Sequence, residues 1–253
     1  MIKLFDHEHL RVYQASIDFV AWLEGVYPKI KRKALARDHL DRASASVPVN
    51  IAEASGKSSM DERRQFIDTA YGSSLECSAC LDVLSILKCI SISMAQMGKN
   101  RLSEVVSMLI GFRKATGRQV REERLPYGTD NAGNGKVFFD HERLKVYQNA
   151  LEFVRWCDKL RRSQCVTRSV EIVLDRTSTG LALNIAEGNA KFSTKDRCRF
   201  IGHARTAALQ AAANLDVVAV RDAQLEWKAQ GGKAVLAESV RMLVAWQRSI
   251  AGE

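Results

Sequence analysis

Apolar residues along the chain recur at helical spacing. Leu10, Tyr13, Ile17, Val20 and Leu23 lie three or four positions apart, which predicts an amphipathic helix beginning near an Asp6 cap and ending near Tyr27-Pro28. A second stripe, Leu40, Ala43, Val47, Ile51 and Ala54, stops around Gly56. A third follows Ser58-Ser59 and carries Phe66, Ala70, Leu75, Leu81, Leu84 and Leu87. A fourth, expected after Gly98-Lys99-Asn100, holds Leu102, Val105, Val106, Leu109 and Phe112. No segment shows strict alternation bounded by hairpin turns, so strands are not expected. Four striped helices with short connections predict an antiparallel up-down four-helix bundle.

The pattern then starts again. Phe5-Asp6-His7-Glu8-His9-Leu10-Arg11-Val12-Tyr13-Gln14 returns as Phe139-Asp140-His141-Glu142-Arg143-Leu144-Lys145-Val146-Tyr147-Gln148. The same shift carries Asn50-Ile51-Ala52-Glu53 onto Asn184-Ile185-Ala186-Glu187 and Leu81-Asp82-Val83 onto Leu215-Asp216-Val217. A period this long points to a duplicated domain, not a solenoid. The expected fold class is therefore all-α, two tandem antiparallel four-helix bundles, over 1–120 and 139–253. Residues 121–138, with Pro126 and several glycines and asparagines, read as a linker. Pro48 falls inside the second helix, where it removes a backbone bond and is expected to bend the chain; Ala182 takes its place in the second copy.

Composition changes the picture little, whereas charge changes it more. A hydrophobic fraction of 46% with 26% charged residues is ordinary for a globular chain, and no apolar run is long enough to cross a bilayer. The opening residues turn acidic too early for a secretory signal, so the cytoplasm is the expected location, no membrane is expected, and the six cysteines are expected as thiols. The net charge of +9 is concentrated in clusters: Lys29, Lys31, Arg32 and Lys33; Arg161 and Arg162; and Lys195, Arg197 and Arg199. Such clusters attract phosphate backbones whatever the sequence, or serve only as a solvated surface. Few rings lie close to them, so backbone contact is expected ahead of base stacking.

One polar ridge stands out. On a helix, Arg42, Ser46, Asn50, Glu53 and Lys57 share an arc of about 80°, and Arg176, Asn184, Glu187 and Lys191 repeat it. The ridge either ties helices together or faces a partner. Glu53 has no second carboxylate or metal set beside it in the sequence, which argues against acid–base catalysis. Cys77 and Cys80 have the Cys-x-x-Cys spacing but no further pair, and read as small core thiols. Trp22 and Trp156 match across the repeat and read as core aromatics. No catalytic residue, metal site or cofactor is expected.

The combination of Phe5, Leu10, Val12-Tyr13-Gln14, Ser46-Val47-Pro48-Val49-Asn50-Ile51-Ala52-Glu53 and Gly72-Ser73-x-x-Glu76 resembles the proteins encoded within intervening sequences of 23S rRNA genes, a family that includes the accessory variability determinants of diversity-generating retroelements. The resemblance covers both halves outside the linker, although Gly180-Leu181-Ala182 and Thr206-Ala207 depart from the signature in the second. It implies a small basic non-catalytic bundle that assembles into homo-oligomeric rings, commonly five-fold, and in the retroelement members binds a reverse transcriptase and nucleic acid. The resulting expectation is a non-enzymatic oligomeric scaffold that binds RNA or DNA backbone or a nucleoprotein. A protein-binding adaptor is the alternative.

Overall fold

The computed structural model describes residues 5–30, 34–116, 137–163 and 166–251, and every regular element among them is helical. The chain divides into two units, Met1–Asp140 and His141–Glu253. The first contains α1 (Arg11–Glu24), α2 (Leu35–Gly56), α3 (Met60–Ile86) and α4 (Ile92–Ala115). The second contains α5 (Lys145–Arg162), α6 (Arg168–Ala190), α7 (Thr194–Arg221) and α8 (Glu226–Ala251). Apart from Val137 and Phe138, the expected linker lies outside the described residues.

Side-chain caps set several of the helix ends. Ser59 Oγ accepts from the Glu62 amide at the start of α3, and Ser193 Oγ accepts from Asp196 at the start of α7. Ser91 does the same for α4 by accepting from Met94 at 3.1 Å. That cap starts α4 at Ile92, earlier than the Gly98-Lys99-Asn100 signal suggested. Gly98 lies inside the helix because Trp22 of α1 and Leu81 of α3 press against it: a Cβ there would stand 2.7 Å from the indole and 2.6 Å from Leu81 Cδ1. Gly232 on α8 plays the same part against Trp156 and Leu215. Asp6 is not the cap of α1 either. Asp6–His9 is a 3-10 turn, and α1 starts only at Arg11. Gln14 Nε2 ties the turn down by donating to the Glu8 carbonyl at 2.9 Å. Through Pro48, α2 runs unbroken from Leu35 to Gly56, with the proline buried.

Within each unit every helix packs on its two neighbours in a closed cycle: α1 on α2 and α4, α3 on α2 and α4, and likewise for α5–α8. Cross-helix pairs fix the directions. Asp68 meets Arg113 and Asp82 meets Lys99, so α3 and α4 are antiparallel; Ser46 meets Ser73 and Ala54 meets Arg63, so α2 and α3 are too. In the second unit, Lys233 meets Asp216 between α7 and α8, and Asn149 meets Met242 between α5 and α8. The result is an antiparallel four-helix bundle in each unit. Phe19, Leu23, Leu40, Ile51, Ile67, Leu84, Leu102 and Leu109 fill the first core; Phe153, Leu181, Ile185, Ile201, Leu215 and Leu243 fill the second.

Candidate nucleic-acid interface

The polar ridge of α2 satisfies itself. Asn50 Nδ2 donates to the carbonyl (2.8 Å) and hydroxyl (3.0 Å) of Ser46, one turn earlier. Ser46 Oγ in turn reaches Ser73 Oγ on α3 at 2.9 Å. Glu53 and Lys57 form an i,i+4 pair at 3.5 Å, and the Lys57 ammonium sits 4.9 Å from the centre of the Phe66 ring. In the second unit Asn184 donates to the Gly180 carbonyl at 2.7 Å, Glu187 pairs with Lys191 at 3.0 Å, and Lys191 lies over Phe200. Arg42 reaches His39, whose Nδ1 lies 3.0 Å from Glu76 Oε1, whereas its counterpart Arg176 is exposed and unpaired. Ser46–Ser73 and His39–Glu76 link α2 to α3 in the first unit. The second unit has Gly180, Ala207, Val173 and Gln210 at those four positions.

The basic clusters occupy bundle ends. Lys29 is exposed in the turn between α1 and α2; Lys31, Arg32 and Lys33 lie outside the described residues. Arg161 and Arg162 occupy the corresponding end of α5, where both grip the buried Asp158 carboxylate, at 3.1 and 2.7 Å. The remaining cluster lies at the opposite end of the second bundle, at the α6–α7 turn. There Lys195 is exposed, and Arg199 pairs with Asp196 at 3.3 Å and lies over Phe200. Arg197 does a different job: its Nε (3.0 Å) and Nη2 (2.8 Å) both donate to the Lys191 carbonyl and close the C-terminus of α6. Arg63 closes α2 in the same way, donating to Ala54 and Lys57 carbonyls. Sequence reading passed over Arg63, although its repetition at Arg197 was a visible signal.

Three of the cysteines are core groups. Cys77 and Cys80 are fully buried on α3, and burial pushes both thiols well above their ordinary range, as it does Cys157 on α5. A thiol so placed is a poor nucleophile. Trp22 and Trp156 stack on Phe19 and Phe153 with centroids 5.9 and 5.8 Å apart. By contrast, Trp227 at the start of α8 is 71% exposed, with the Lys228 ammonium 5.6 Å from its ring centre.

Residues 8–111 match the family model of the 23S rRNA-intervening sequence proteins, a stretch that spans α1, α2, α3 and most of α4. No curated protein and no solved structure matches the chain. Among the described residues, no helix is long and apolar enough to cross a membrane.

Proposed function

We propose that this chain, whose first unit belongs to the 23S rRNA-intervening sequence protein family, is a non-enzymatic oligomeric scaffold that binds the phosphate backbone of nucleic acid, free or within a nucleoprotein such as a reverse-transcriptase complex. The supporting observation is the charge: a net +9 with exposed cations gathered at bundle ends, over two cores in which burial holds the Cys77, Cys80 and Cys157 thiols protonated. The polar ridge spends its hydrogen bonds on its own helix and its neighbour, so binding is assigned to the charged ends.

The mechanism is counterion release. Lysines and arginines replace the ions condensed on the backbone, and affinity then falls linearly with the logarithm of salt concentration. Binding of labelled RNA and DNA across a salt series tests this. Undetectable binding at low salt, or affinity indifferent to salt, sinks the reading. A protein-binding adaptor is the second reading, favoured by the apolar outward stripe of α7, where Leu209 and Val220 are 55% and 87% exposed. Capture of partners after nuclease digestion separates the two, because an adaptor keeps its partner when nucleic acid is destroyed.

A further inference from the structure

The two units carry the same stripe of residues on their third helix but do not expose it alike. On α7, Leu209, Ala213, Asp216 and Val220 fall within an arc of about 60°, turned away from the core residue Leu215. All four are exposed, Val220 at 87%. Asp216 pairs with Lys233, so the stripe continues onto α8. The matching residues of the first unit are Leu75, Ala79, Asp82 and Ile86 on α3, with Lys99 of α4 as the partner of Asp82. There Leu75 and Ala79 are buried and Ile86 is half-buried. The Lys99 side chain is 8% exposed, against 32% for Lys233. One group over Lys99 is Phe138, which belongs to the first unit and has its ring centre 5.4 Å from the ammonium. The Phe139 ring lies 6.4 Å from that of Phe138, and both are buried. The repeat shift matches Phe138-Phe139 to Leu4-Phe5. Phe5, however, is 62% exposed and stacks on His7 of its own turn, whereas Phe139 is 5% exposed.

We propose that the α7–α8 stripe of one chain takes the Leu4-Phe5 segment of a second copy of the same chain, repeating between chains the contact that Phe138 makes with Lys99 inside the first unit. The inference rests on the oligomeric part of the reading above and names the two surfaces that meet. The repeat selects the occupant. The stripe with its lysine occurs twice and is buried once; the aromatic segment occurs twice and is buried once. The exposed stripe belongs to the second unit and the exposed segment to the first, so the two surfaces left over are different ones. Their pairing is head to tail, each chain donating Phe5 and accepting on α7–α8. The chemistry fits the segment. Leu209 and Val220 offer apolar area to the Phe5 ring, and the Lys233 ammonium offers it a cation, as Lys99 does for Phe138. Asp216 holds Lys233 on the stripe, as Asp82 holds Lys99 at 2.7 Å.

The test is sedimentation velocity of the full chain over a concentration series, for the parent, Phe5→Ser, Val220→Glu and an equal mixture of the two variants. Both residues are exposed, and circular dichroism confirms that each variant folds. The parent should sediment above the single-chain mass of 28.2 kDa. Each variant alone should associate about tenfold more weakly or worse, the scale on which loss of one anchoring contact acts. The mixture decides the geometry. Phe5→Ser keeps its stripe and Val220→Glu keeps its segment, so the two together should form pairs of chains and grow no further. Association of the parent that neither variant weakens overturns this pairing and leaves the oligomeric reading standing. Variants that each fall to the single-chain mass and stay there when mixed make the contact something other than head to tail, and overturn the proposal as well. A parent that remains at the single-chain mass throughout overturns both the proposal and the oligomer it rests on.

Discussion

At the scale of single residues, the tightest constraint is the absence of a side chain at Gly98 and Gly232. Gly98→Ala places a methyl group 2.6 Å from Leu81 Cδ1 and 2.7 Å from the Trp22 indole. The overpacking should cost about 1–3 kcal/mol, more than the ~1 kcal/mol that alanine gains in a helix. Gly111, also on α4 but with open space around it, is the control: Gly111→Ala should be neutral or stabilising. Urea titrations of both variants check this, and Trp22→Leu should relieve most of the Gly98→Ala penalty. A pair of glycines at matched positions was legible in the sequence; that each is a socket for a tryptophan was not, because the socket is made by three helices. Titration gives a second expectation. Burial pushes the Tyr27 hydroxyl up to about 12, from an ordinary value near 10. The folded state therefore holds this proton more tightly than the unfolded one, and stability contributed by the neutral hydroxyl is intact below pH 10 and lost as pH rises towards 12. The buried thiols act in the same direction from a lower pH. Tyr27→Phe should flatten the alkaline slope of unfolding free energy without abolishing it.

At the scale of elements, the sequence was most readable where a side chain caps or stops a helix. Ser59 and Ser193 start α3 and α7, each by a local interaction that needs only nearby residues. The readings that missed were those in which tertiary packing overrides a local breaker. Gly98-Lys99-Asn100 looked like a boundary, but the glycine is demanded by Trp22, and Lys99 is held by Asp82 at 2.7 Å inside a continuous helix. Arg63 and Arg197 show the same limit from the other side: nothing local marks an arginine as the partner of carbonyls six to nine residues earlier. Their removal should cost about 1.5–3 kcal/mol each, the range for hydrogen bonds from a charged donor. Arg197→Ala also separates structure from binding. It should lower the urea midpoint while leaving the salt slope of nucleic-acid binding unchanged, because Nε and Nη2 of that guanidinium both donate to the Lys191 carbonyl.

At the scale of the whole chain, the repeat made the architecture legible, whereas the candidate site was only half visible. Basic runs such as Arg161-Arg162 can be read from the sequence, but the Arg221–Thr167 hydrogen bond that joins the end of α7 to the start of α6 spans 54 residues and exists only through the register of the bundle. The proposed assembly has the same character. On α7, Leu209, Val217 and Val220 are 55%, 42% and 87% exposed and fall on one outward face at spacings of eight and three, away from the Leu215 that fills the core. A stripe of this kind on a single chain is a surface that burial against another copy would stabilise, at roughly 25 cal/mol per Å² of apolar area removed from water. Since each chain brings two units, any assembly holds an even number of them. A five-fold ring therefore cannot be tiled by chains that place both units in it: either five chains contribute ten units in two layers, or the units close an even or smaller assembly. Mass measurement in solution should give a multiple of 28.2 kDa above the single chain, and Leu209→Lys should shift it to 28.2 kDa with helicity retained. A parent that stays at the single-chain mass at micromolar concentration would remove the oligomer from the proposal, and with it the multiplied charge that a ring offers to a polyanion.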